Sequence, residues 1–190
     1  MLNPFSVRRG GVRRLKVLLG LVGLVGATAA APLRAQSMPG LTPEGRPVRP
    51  PGFVLLVERQ GFDGLRAVGV YGAVPDPGQS GLWRVQLWEE LSQRVTISTD
   101  KVSCALGAPL RITGRGRALI VRELNPGGPI TDANRLDHQI WWAVCQPSLA
   151  GRDPASLAAE ARRLGFDGRL PEREQILPAP GSPAPGSPAP

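Results

Sequence analysis

Between residues 53 and 123 apolar and polar positions alternate in short runs, several of them closed by glycine or proline. Residues 53–58 form an apolar run that ends at the turn Gly61-Phe62-Asp63-Gly64. Residues 65–73 follow, with Val68, Val70 and Tyr71 as strand formers, and Pro75-Asp76-Pro77-Gly78 closes them. Residues 82–88 set Val85 and Leu87 between Arg84 and Gln86, and residues 94–98 alternate Val95 and Ile97 with Arg94, Thr96 and Ser98. A period of two buries one face of a sheet, so these runs predict strands. Residues 109–113 and 117–123 flank Gly114-Arg115-Gly116, a compact turn suited to a hairpin. Glu89-Glu90-Leu91 fits either a helical turn or a strand break.

After Asn125-Pro126-Gly127-Gly128-Pro129 the period changes. Thr131 suits a helix N-cap, Asp132 its first turn and Ile130 a hydrophobic staple, so a helix is expected over residues 131–145. Its stripe would be Ala133, Leu136, Ile140, Ala143 and Val144, with His138, Trp142 and Cys145 on a neighbouring face. The competing reading makes residues 139–145 a strand buried on both faces. Asp153 is placed as a second N-cap, with Pro154 at the first helical position. Leu157, Ala158, Ala161 and Leu164 then form one helix face, Gly165 ends it, and Phe166 folds back. The expected fold is α+β: an antiparallel sheet of five to seven short strands followed by one or two helices. An all-β sandwich with one C-terminal helix is the alternative.

The flanks read differently. Arg8, Arg9, Arg13, Arg14 and Lys16 precede an apolar run over residues 17–31, and small residues end it. That order predicts a signal peptide over residues 1–35, with an uncleaved membrane anchor as the alternative. Residues 36–52 read as a Pro/Gly-rich linker, residues 53–176 as one globular domain, and residues 177–190 as a disordered Pro-Ala-Gly-Ser tail. Export to the periplasm, the extracellular space or an equivalent lumen is therefore expected. In such compartments two cysteines in one small domain usually pair, so a Cys104–Cys145 disulfide is expected.

Charge adds little once the leader is set aside. Residues 1–35 hold six of the 23 basic residues and none of the 15 acids, which leaves 17 against 15. Nucleic-acid binding is not expected from so balanced a domain. The local cluster Arg111, Arg115, Arg117 and Arg122 supports a polyanion-binding module as one alternative function.

The candidate chemistry is thin. Asp137 and His138 are adjacent, so their side chains diverge on a helix or a strand, and no nucleophile motif accompanies them. They are the candidates for a cell-envelope hydrolase or transferase. Trp141 and Trp142 are candidates for an apolar binding patch or for the core. Asn125, in the glycine-rich turn, and Arg135 are further binding candidates. Metal ligation lacks any Cys-x-x-Cys or His-x-x-x-His spacing, and no metal or cofactor is expected. The leading expectation is an exported, non-enzymatic binding or assembly module. Its partner would be an unidentified protein or envelope component, with a membrane touched only through an uncleaved leader.

Overall fold

Residues 40–180 are described by a computed structural model. Their strands are β1 (Val54–Gly61), β2 (Gly64–Pro75), β3 (Leu82–Leu91), β4 (Arg94–Ser103), β5 (Leu110–Arg115), β6 (Ala118–Glu123) and β7 (Arg173–Pro178). They form one antiparallel sheet in chain order. Two-residue links, Phe62-Asp63, Ser92-Gln93 and Gly116-Arg117, leave each second strand no choice but to fold back on the first. This is the α+β arrangement expected, with the full seven strands and two short helices.

Directly opposed residues share a face, so the register sorts the side chains. One face carries Val68 and Val70 of β2, Val85 and Leu87 of β3, and Asp100 and Val102 of β4. The helix α1 (Arg135–Cys145) lies across it, and Ile140, Trp141, Trp142 and Val144 join those strand residues in the main core. Residues from Asp137 to Val144 are all buried. A helix enclosed on every side needs cover above as well as below. Leu157, Ala161 and Phe166 supply it from a 3-10 turn (Pro154–Leu157), from α2 (Ala158–Arg163) and from the residues that follow. Two hydrogen bonds peg the helix to the sheet: Trp141 Nε1 donates to Ser103 O at 2.9 Å, and Gln139 Nε2 to Leu56 O at 3.1 Å. The Cys104–Cys145 disulfide, with Cα atoms 5.5 Å apart, joins the end of β4 to the end of α1.

On the opposite face the chain's own N-terminal segment covers part of β1, β2 and β3. Phe53 lies on Gly69, where a Cβ would stand 2.2 Å from the ring, and it meets Trp88 edge-on at 6.1 Å. Arg46 and Arg49 reach the buried Glu90 at 3.4 and 3.3 Å and share the more exposed Glu58. Their hydrogen bonds, Arg49's first, hold the Glu58 carboxyl below its ordinary range. With the Leu41–Pro47 bridge, residues 40–52 of the expected linker form a strap tied to the sheet.

Several expectations are corrected. Residues 135–145 are helical, which removes the sandwich alternative. Glu89-Glu90-Leu91 simply continues β3, opposite Thr96, Val95 and Arg94, because Arg46 and Arg49 neutralise the buried Glu90. Thr131 does not cap α1. Asn134 occupies that position, and its Oδ1 accepts the Thr131 N–H at 2.7 Å, closing a turn ahead of the helix. Asp153 does accept the Ala155 N–H, but the first turn is 3-10 and the α-helix is confined to Ala158–Arg163. β7 had no strand signal: all six residues are exposed, so no apolar alternation marks them. It closes at Pro178, whose pair with Ala118 has no hydrogen bond to lose, since Ala179 N–H bonds Arg117 O beyond it. The leader over residues 1–35 and the tail over residues 181–190 lie outside the described residues.

Candidate functional site

The helix covers only part of its sheet face, and a row of alternating charges marks the edge of that cover. Arg111 of β5 donates through Nε to Asp100 Oδ2 of β4 at 2.8 Å and, from its other side, to Asp137 of α1. Arg122 of β6 approaches Asp137 Oδ2 at 3.6 Å and Glu174 Oε2 of β7 at 2.9 Å. Asp100, Arg111 and Asp137 are buried, so each charge needs the next one. Four strands and the helix are thereby locked in one register. Burial pushes the Asp100 carboxyl above its ordinary range, and the Arg111 guanidinium only partly opposes that shift.

Beyond this row the sheet lies open. A cleft of about 510 Å³ has Leu87, Ser98, Thr113 and Ile120 on its floor, with Leu136 and Arg115 at opposite rims. Asp100 Oδ1 and Thr113 Oγ1, on opposed residues of β4 and β5, are buried and have no hydrogen-bond partner among the described residues. On the far side of the Arg122–Glu174 pair is a smaller hollow of about 240 Å³, bounded by Asn134 and Glu172.

The sequence candidates fall into separate places. Asp137 belongs to the charge row, and its neighbour His138 turns away from it. The His138 ring is completely buried, with Nε2 2.7 Å from Glu172 Oε1, while Glu172 also accepts from Asn134 Nδ2 at 2.8 Å. Asp137 and His138 therefore do not combine at one open site. Cys104 and Cys145 are consumed by their disulfide. Trp141 and Trp142 pack edge-on at 5.1 Å inside the core and offer no surface to a partner, so the apolar-patch expectation is withdrawn. Asn125 is buried as a latch: its Nδ2 donates to Gly168 O and its Oδ1 accepts Leu170 N–H. Gly128 must stay a glycine beside it, since a Cβ would stand 2.0 Å from Asn125 Nδ2. Arg135 pairs with Asp153 and, at 4.0 Å, with Asp132.

The hairpin arginines are not one solvent-facing set either. Arg111 and Arg122 serve the charge row, while Arg115 and Arg117 remain exposed. Glu172, Glu174 and Asp100 went unrecognised in the chain because their partners are remote in sequence. One signal was present: Asp100 and Arg111 each sit two residues from an apolar or hydroxyl residue of the same strand face, where a charge must find a partner.

Among the described residues no group of three or more His, Cys, Asp or Glu side chains is placed to hold a metal ion. No helix there is long and apolar enough to cross a membrane. Comparison with models of known families, with curated proteins and with solved structures finds no match.

Proposed function

We propose that the chain is an exported, disulfide-stabilised, non-catalytic binding module whose ligand site is the cleft on the helix-bearing face. The observation that carries this reading is the cleft itself, open beside a row of charges already held in place. Groups fixed by their own partners bind without a further ordering cost, which suits recognition. The same fixation suits catalysis poorly, because Asp137 is committed to Arg111 and His138 to Glu172. The floor mixes apolar Leu87 and Ile120 with hydroxyls of Ser98 and Thr113, so its ligand is a small, uncharged or zwitterionic polar molecule or side chain. The disulfide is compatible with an oxidising compartment.

Thermal shift against neutral sugars, polyols and zwitterionic short peptides tests the assignment. A ligand should raise the melting temperature of the wild type and leave that of Thr113→Leu, which fills the floor, unmoved. Equal shifts in both proteins would place binding elsewhere.

A further inference from the structure

All three two-residue turns lie at one end of the sheet, because alternate connections of an antiparallel meander return to the same side. Large apolar side chains stand uncovered along that end, from β1 to β7. Phe62 projects fully exposed from the first turn, Leu91 borders the second, and Ile176 and Leu177 stand near the close of β7. Phe62 is held out by its surroundings. Ser92, with φ at 55°, donates its N–H to Leu65 O at 2.8 Å and its hydroxyl to Asp63 O at 2.7 Å, fastening the first turn to the second. A serine in that left-handed conformation persists only when its surroundings dictate it.

Basic side chains surround these residues. Arg59, Arg66 and Arg94 lie on the helix-bearing side of the sheet close to the turns, as does Arg115, and Arg117 occupies the third turn. Of the acids nearby, Glu58 and Glu90 are balanced by Arg46 and Arg49, which leaves Asp63, Glu89, which is 3.9 Å from Arg66, and Glu44, in the turn that brings Gly45 against Gln93. Arginine is in excess, five against three.

We propose that this end of the sheet docks the protein onto an anionic lipid bilayer, with Phe62 entering the interface and the arginines meeting headgroup phosphates. The surface shares Arg115 and Glu89 with the rim of the cleft, but Phe62, Arg59 and Arg94, on which the test rests, lie outside it, so the two readings can be tested apart. It departs from the expectation that only an uncleaved leader would touch a membrane. A soluble polyanion would engage the arginines but gain nothing from Phe62 or Ile176. A bilayer offers both chemistries in the matching order, anionic outside and apolar beneath.

Partitioning of the full chain onto mixed phosphatidylcholine–phosphatidylglycerol vesicles, read by sedimentation, tests this. The leader is common to wild type and variants, so its own affinity cancels in their ratio. Phe62→Ser should weaken partitioning about tenfold or more. Arg59→Gln and Arg94→Gln should each weaken it about fivefold, and only this part should fade as salt is added. Both changes are at exposed positions, and thermal melts matching the wild type will establish that the variants are folded. The indole introduced by Phe62→Trp should shift its emission to the blue when these vesicles are added. Unchanged partitioning of Phe62→Ser overturns the proposal. So does an indole that stays in water while soluble heparin displaces the protein from vesicles, which would assign this end to a soluble polyanion.

Discussion

Arg111 is the residue on which the helix-bearing face turns. It stands between two buried carboxylates, Asp100 and Asp137, and removing it leaves both facing each other in a poorly solvated space. Breaking a buried ion pair from one side costs about 3–5 kcal/mol, so Arg111→Met should lower unfolding stability by that order in a urea titration. Asp100 makes a separate prediction, through pH. Its folded-state carboxyl is raised above the ordinary value, chiefly by burial, so the folded protein holds this proton more tightly than the unfolded chain. The stability contributed by this group is fully present below the unfolded value and is lost as pH rises through the folded one. Asp100→Asn cannot titrate. Its stability should therefore lack that decline when unfolding is measured across the carboxylate range, about pH 3 to 6. Glu58 contributes the opposite slope, being lowered by Arg49 and Arg46, and remains in both proteins.

At the scale of elements, the disulfide and the strap do different work. Cys104 and Cys145 are separated by 41 residues, and the bridge ties the helix to β4 across the whole of β5, β6 and the glycine-rich turn. A closed loop of that size is worth about 4 kcal/mol in the chain-entropy model. The double variant Cys104→Ser/Cys145→Ser should unfold at correspondingly lower urea, and unreduced wild-type protein should resist thiol alkylation even when denatured. The strap acts locally. Its arginines satisfy Glu90, which would otherwise be a buried anion near the end of β3, between Ala67 and Val95. That pairing allows β3 to run ten residues through two consecutive glutamates.

At the scale of the whole molecule the sheet has two free edges and two unlike ends. Both edges are blunted against pairing with other chains: β1 by a register shift between Leu55 and Val57, and β7 by Pro178, whose backbone faces away from β6. Of the two ends, the one with the tight turns carries Phe62 and an excess of arginine over acid. The described part of the molecule therefore has an anisotropy that its near-balanced charge conceals. The cleft and the turn end meet at Arg115 and Glu89, while Phe62, Arg59 and Arg94 lie outside the cleft. The vesicle and thermal-shift experiments separate the two roles.

The residues themselves determined most of the architecture. Alternation with period two, punctuated by Gly61, Gly64 and Gly116, specified the first and third hairpins, because pleat geometry and turn sterics are local, whereas the β3–β4 turn at Ser92-Gln93 carried no such mark. Two cysteines in a chain whose sequence reads as exported pointed to their bridge for a chemical reason that needs no coordinates. Tertiary structure alone decided which charges meet. Arg111 reads as one more hairpin arginine until β4 and α1 bring Asp100 and Asp137 against it, and Glu172 has no meaning until the chain returns past His138. It also decided that Trp141 and Trp142 are core, that Asn125 is a latch, and that the featureless residues 173–178 form a strand. Local pattern sets the period of an element. The partner of a charge, or the neighbour of an edge strand, is chosen by contacts tens of residues away, and no window of sequence contains them.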